Sequence, residues 1–144
     1  MALHSELPVY RDTYQMLLRI YALTQDFGRE FKYTLGQDMK RDSLQLVRCI
    51  YRANRSADKK EHLMQFLEEF ELLKLEIRLA VDMKQIPQKK YALLAELMDR
   101  IGRQITGWSK SGAVSAVPEL PGQKVPASEQ VSSEKGQIYN SLVK

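Results

Sequence analysis

Cys49 is the only cysteine, so no disulfide can form within the chain, and a reducing compartment, the cytoplasm, is the expected location. Histidine is almost as scarce: only His4 and His62 occur, and no Cys/His cluster has zinc spacing. No Glu-x-x-His pair is present, which removes the di-iron site that helical bundles can carry. There is no Gly-x-x-x-x-Gly-Lys phosphate loop and no Gly-x-Gly-x-x-Gly turn. No apolar run approaches the roughly 20 residues of a membrane span, and the N-terminus lacks the basic start and apolar stretch of a secretory signal. These absences leave no expected catalytic residue, cofactor, metal or membrane partner. Glycine and proline are also few, at seven and five in 144 residues, so long uninterrupted helices are allowed.

What is present favours helix. Aliphatic residues with Met, Glu, Lys, Arg and Gln dominate the first 110 positions. The first helix follows Pro8, a good first-turn residue, and is expected to run to about Phe27, where Gly28 ends it. Its inner stripe is read as Tyr10, Tyr14, Leu17, Leu18 and Tyr21. The second opens at Thr34, where Thr34-Leu35-Gly36-Gln37 reads as a capping box. It runs to about Asn54 with Leu35, Met39, Leu46, Ile50 and Ala53 on one face. The third opens with Asp58 and Glu61 at capping-box spacing. Leu63, Phe66, Leu67, Phe70, Leu73, Ile77, Ala80 and Val81 then follow the helical template to about Lys84. The fourth lies beyond Pro87 and carries Tyr91, Leu94, Ala95, Met98, Ile101, Gly102, Ile105 and Trp108. Four such helices joined by short links predict an all-α, antiparallel up-down four-helix bundle over 1–110. Residues 111–144 hold three of the five prolines and no helical period, so a flexible, disordered tail is expected there. Its last residues, Ile138 to Val143, read either as a plain end or as a short docking motif.

These helices carry more apolar surface than one small bundle hides. A second stripe on helix three comprises Leu72, Leu75, Leu79 and Met83. Helix one has Val9, Met16, Ile20, Leu23 and Phe27; helix two adds Leu44, Val47 and Tyr51; helix four adds Leu93 and Leu97. One reading is a broad core with scattered exposed leucines. The other, which the contiguity of the stripes favours, is self-association through a face containing Leu72, Leu75, Leu79 and Met83.

Charge is patterned too. The net charge is +4, and from Ser111 onward three lysines balance three glutamates, so the surplus sits on the first 110 residues. Arg41, Gln45, Arg48, Arg52 and Arg55 share one face of helix two, and Lys59 and Lys60 extend it. Arginine donates two parallel hydrogen bonds to phosphate, so this face suits a nucleic-acid backbone. A solvated face, or ion pairs with Glu61, Glu68, Glu69, Glu71 and Glu76 of helix three, fits the spacing equally. The carboxylates are read as lying on polar faces rather than as a catalytic pair. Cys49 reads as a small buried thiol, Gly102 and Gly107 as points of close helix approach, and Trp108 as packing the bundle end. An enzyme on this scaffold, such as a nucleotide or cofactor transferase, would need a buried polar cluster or a bound ligand to support it.

Three segments together resemble a known family: Tyr33-Thr34-Leu35-Gly36, Ile50-Tyr51-Arg52-Ala53-Asn54, and Ile101 to Ser111, with the string IGRQITGWSKS. In order, spacing and placement they look like the accessory variability determinant (Avd-like) proteins of diversity-generating retroelements. Those proteins are themselves similar to the four-helix bundles encoded by intervening sequences in 23S ribosomal RNA genes. The likeness covers about Leu7 to Ser111. It implies a non-enzymatic bundle that forms a barrel-shaped homopentamer with a basic surface. Such an assembly binds the reverse transcriptase and RNA or DNA, and so supports mutagenic copying of a template RNA. On that resemblance Arg41, Arg48, Arg52, Arg55, Lys59 and Lys60 are the candidate contact surface, by surface type and not position by position. An intervening-sequence-type interaction protein with no polymerase partner is the alternative.

Overall fold

The protein's computed structural model describes residues 6–116, and every regular element among them is helical. In chain order these are α1 (Pro8–Gln25), α2 (Arg29–Lys32), α3 (Leu35–Arg55), α4 (Lys59–Asp82) and α5 (Gln88–Ala116). The four long helices are those expected from sequence, and the all-α four-helix bundle is the fold. The single turn α2 was not expected. It fills the link between Gly28 and Thr34, with Phe31 and Lys32 donating their amides to the Gly28 carbonyl. α1 packs against α3 and α5, and α4 packs against the same two, so α1 and α4 lie diagonally across the core. The short links set successive long helices antiparallel. α5 continues to Ala116, past Lys110; His4 and residues 117–144, with most of the expected tail and the Ile138–Val143 motif, lie outside the described residues.

Met16 and Ile20 of α1, Met39, Leu46 and Ile50 of α3, Phe66, Phe70, Leu73 and Ile77 of α4, and Leu94 and Ile101 of α5 are fully enclosed. Each such side chain contributes about 1.5–3 kcal/mol on leaving water, more than any difference in helix propensity, so burial decides which way each helix turns. The expected faces of α3, α4 and α5 are the ones buried, with Leu97 also inside and Leu93 outside. α1 is turned the other way from expectation. Val9, Met16, Ile20, Leu23 and Phe27 are inside, while Tyr14, Leu18 and Tyr21 are exposed, and only Leu17 of the expected stripe is buried. α1 has two apolar stripes, and periodicity cannot rank them. The one without tyrosine buries no phenolic hydroxyl and wins. Across the α1–α5 seam, Asp12 accepts from Arg100 Nε at 3.1 Å and from Gln104 Nε2 at 2.7 Å.

The helix ends differ from the expected boxes. Thr34 and Asp58 do occupy the N-cap positions of α3 and α4, but neither side chain caps. Thr34 Oγ1 instead donates to the Glu30 carbonyl at 2.7 Å, using α2 as its acceptor. The end of α4 is a complete Schellman motif, with Lys84 N bonded to Val81 O and Gln85 N to Ala80 O. Its left-handed position is taken by Lys84, with φ of 63°, where glycine is the usual occupant. Gly102 and Gly107 are not close approaches: a Cβ on Gly102 would sit at an ordinary 3.6 Å from Phe70, and one on Gly107 would meet nothing. Gly36 is the tight one, where a Cβ would stand 3.3 Å from the Phe31 carbonyl oxygen.

Candidate functional site

Helical spacing carries Arg41, Arg48, Arg52 and Arg55 down the face of α3 opposite its buried Met39, Leu46 and Ile50, over roughly 20 Å. All four are exposed. They are not equivalent. Arg41 is held by its own helix, with Nη1 3.1 Å from Asp38 and Nε 3.1 Å from Asp42. Arg55 lies over the Tyr51 ring and donates to the Tyr51 hydroxyl. Arg48 and Arg52 have no carboxylate partner among the described residues. Lys59 turns inward, and its ammonium donates to the carbonyls of Ala53, Asn54 and Ser56, closing the C-terminus of α3. Lys60 stays exposed. The open cationic ridge is therefore Arg48 and Arg52, with Arg55 at its end.

On the α4 side of this ridge the polar-face reading of the acids fails at two positions. Asp42 and Glu76 are both buried at the α3–α4 seam. Glu76 Oε1 has no hydrogen-bond partner. Burial first, and then the hydrogen bond and charge of Asp42, push the Glu76 carboxyl up to about 8; Asp38 adds to the rise and Arg41 opposes it. Glu76 is thus protonated at neutral pH. The sequence held a signal for this pair. Asp42 sits in the apolar stripe three residues after Met39 and four before Leu46, and Glu76 stands likewise between Leu73 and Ala80. Nearby Cys49 is buried as expected, its thiol pushed up to about 11 chiefly by that burial, which leaves it unreactive. No group of three or more His, Cys, Asp or Glu side chains among the described residues could hold a metal ion.

Two apolar faces flank the ridge. On α4 and at its C-cap, Leu72, Leu75, Leu79 and Met83 are exposed, as expected, with Leu75 at 63%. On the other side, α1 and α3 together form a ledge. Lys40 of α3 lies 5.5 Å above the Tyr21 ring of α1. Tyr10 and Tyr14 stack, their rings 2° from parallel. Leu18 and Leu44 are 46% and 47% exposed. The sequence reading missed this ledge because it placed the tyrosines of α1 in the core. Their i, i+4, i+11 spacing with one hydroxyl each was the available sign.

A model of the bAvd-like family matches residues 9–112, which takes in most or all of each of the four long helices and every surface described above. The chain belongs to the bAvd-like family. No curated protein matches it. As a bAvd-like protein it is an accessory protein of the diversity-generating retroelement kind. None of its described helices is long and apolar enough to cross a membrane. Trp108, in the segment that carries the family likeness, is half-buried and packs on the core. The matched region therefore includes residues that hold the bundle together as well as residues that face outward.

Proposed function

We propose that this bAvd-like bundle is the non-enzymatic, cytoplasmic accessory subunit of a diversity-generating retroelement, a homo-oligomer that binds the reverse transcriptase and template RNA. The observation carrying the reading is the ridge of Arg48 and Arg52, two exposed guanidinium groups without carboxylate partners among the described residues, on a bAvd-like helix. Guanidinium groups a turn apart can follow successive phosphates, and such contacts hold a nucleic acid without reading its sequence. Self-association is supported by the exposed apolar face of Leu72, Leu75, Leu79 and Met83. The family resemblance sets the expected subunit number at five.

The test is co-purification of the tagged full chain with a reverse transcriptase expressed from the same cell, with and without RNase, followed by RNA sequencing. The reading expects the polymerase and its template RNA in the eluate. Recovery of neither, from a folded chain, overturns it and leaves an interaction bundle without a polymerase partner.

A further inference from the structure

The surface built by Tyr10 to Ala22 of α1 and Lys40 to Arg55 of α3 carries charge of one sign. Those two stretches hold seven lysines and arginines and only two carboxylates. Neither carboxylate is open: Asp12 accepts from Arg100 and Gln104 on the α5 side, and Asp42 is buried. Aromatic rings lie among the cations. Tyr14, Tyr21 and Tyr51 are exposed, with exposed Leu18 and Leu44 in the same strip. Arg11 is exposed one turn ahead of Tyr14. Lys40 stands 5.5 Å over the Tyr21 ring, and the Arg55 guanidinium 5.3 Å over that of Tyr51. The arginine ridge borders this strip, because Arg48 follows Leu44 by four residues and precedes Tyr51 by three on one helix.

We infer that this strip stacks the bases of a single-stranded RNA whose phosphates run along Arg48 and Arg52. A single strand has two unlike sides, a charged backbone and the flat faces of its bases, and a cationic edge beside ring surfaces holds both. α3 supplies the edge, and α1 and α3 together supply the rings. Tyr10 and Tyr14 already stack on one another, so a base laid on Tyr14 extends an existing stack. The Arg55 guanidinium is a second kind of platform, since bases stack on its plane as they do on rings. With no open carboxylate along the strip, a polyanion is attracted over its whole length. A duplex keeps its base faces turned inward, so it meets only the phosphate contacts. This inference rests on the RNA binding proposed above and adds which form of RNA is held and by which surface.

Removing rings while keeping apolar area tests it. Tyr14→Leu/Tyr21→Leu does so at two exposed positions, with circular dichroism to check the fold. Fluorescence anisotropy on the full chain compares a short labelled RNA strand that cannot self-pair with the same strand annealed to its complement. Single-strand affinity is expected to fall about fivefold or more for each ring removed, while duplex affinity stays that of the parent. Tyr14→Phe/Tyr21→Phe keeps the rings and is expected to bind single strands as the parent does. A parent chain that binds neither form overturns RNA binding itself. A parent that binds RNA, with a leucine variant that holds single strands as tightly or loses both forms alike, overturns the stacking alone. So does a leucine variant whose assembled size changes along with its binding, since that would mark the strip as a contact between subunits. Ultraviolet cross-linking of the bound strand to the parent chain gives a readout that needs no variant. Cross-links are expected at Tyr14, Tyr21 or Tyr51, and cross-links found only elsewhere overturn the stacking.

Discussion

Glu76 of α4 directs its carboxyl toward Asp42 of α3 at a largely buried seam, and one Glu76 oxygen is left without a partner. Two carboxyl groups so placed cannot both ionise cheaply, and the proton stays on Glu76 up to about pH 8.

Stability should therefore fall with rising pH. Unfolded, Glu76 releases its proton near the ordinary glutamate value of about 4.3. Folded, it holds that proton up to about 8. The native state binds more protons between those values, so this contribution is complete below about 4.3 and lost as pH rises through 8. Glu76→Gln should flatten that slope and raise the melting temperature at pH 8.5 by a few degrees. Melting curves from pH 5 to 9 check it. A parent slope unchanged by Glu76→Gln would show that other groups set the dependence.

The arginines should separate by partner. Reversing Arg48 and Arg52 to glutamate removes the two open cations and should weaken RNA binding strongly. The slope of log affinity against log salt should lose about one unit per phosphate contact removed. Arg41→Gln should cost less, because Asp38 and Asp42 already engage that guanidinium. Fluorescence anisotropy at several salt concentrations measures both. Equal losses for Arg41 and Arg48 single variants would count against the ridge as drawn.

Two helix ends should respond in opposite directions. Lys84 holds a left-handed backbone that costs a non-glycine residue about 1 kcal/mol, so Lys84→Gly should stabilise by up to that amount. Lys59→Met should destabilise by about 1–2 kcal/mol by stripping charged donors from the carbonyls of Ala53, Asn54 and Ser56. RNA binding by the folded Lys59→Met variant should be little changed. Urea titrations, with binding measured on the same samples, resolve these effects.

Glycines on two helices should also diverge. Gly102→Ala fits at ordinary contact distance and should stabilise by about 0.5–1 kcal/mol through helix propensity. Gly36→Ala presses a methyl against the Phe31 carbonyl, Phe27 and Thr24, and should lose stability despite the same gain in propensity. Chemical denaturation of the pair is the measurement.

Pattern alone was enough for the four long helices and for three of their buried faces. A run such as Leu63, Phe66, Leu67, Phe70, Leu73 and Ile77 has one way to leave water, and its period states the helix and the face at once. Family likeness was legible for the same reason, since Ile101 to Ser111 combines core residues and outward ones on a single helix. The outward position of Leu72, Leu75, Leu79 and Met83 was legible too, because α4 had a stronger stripe to bury. The exposure of the arginine face followed from its place opposite the Met39, Leu46 and Ile50 stripe.

Tertiary packing decided what periodicity leaves degenerate. α1 offers two stripes that periodicity does not rank, and packing buried the one with Met16 and Ile20, turning Tyr14 and Tyr21 out with their hydroxyls. Cross-helix charge partners, such as Asp12 with Arg100 and Gln104, were decided in the same way. Local spacing does set Arg41, bound to Asp38 and Asp42 of its own helix, apart from Arg48, but nothing local tells Lys59, folded back onto α3, from Lys60. The burial of Glu76 depends on which residue of α3 stands across the seam. Sequence by itself determines the elements, because backbone hydrogen bonding and hydrophobic period act along one helix. Facing, cross-helix pairing such as that of Asp12 with Arg100, and shifted protonation belong to the assembled bundle, because each depends on atoms that only another helix supplies.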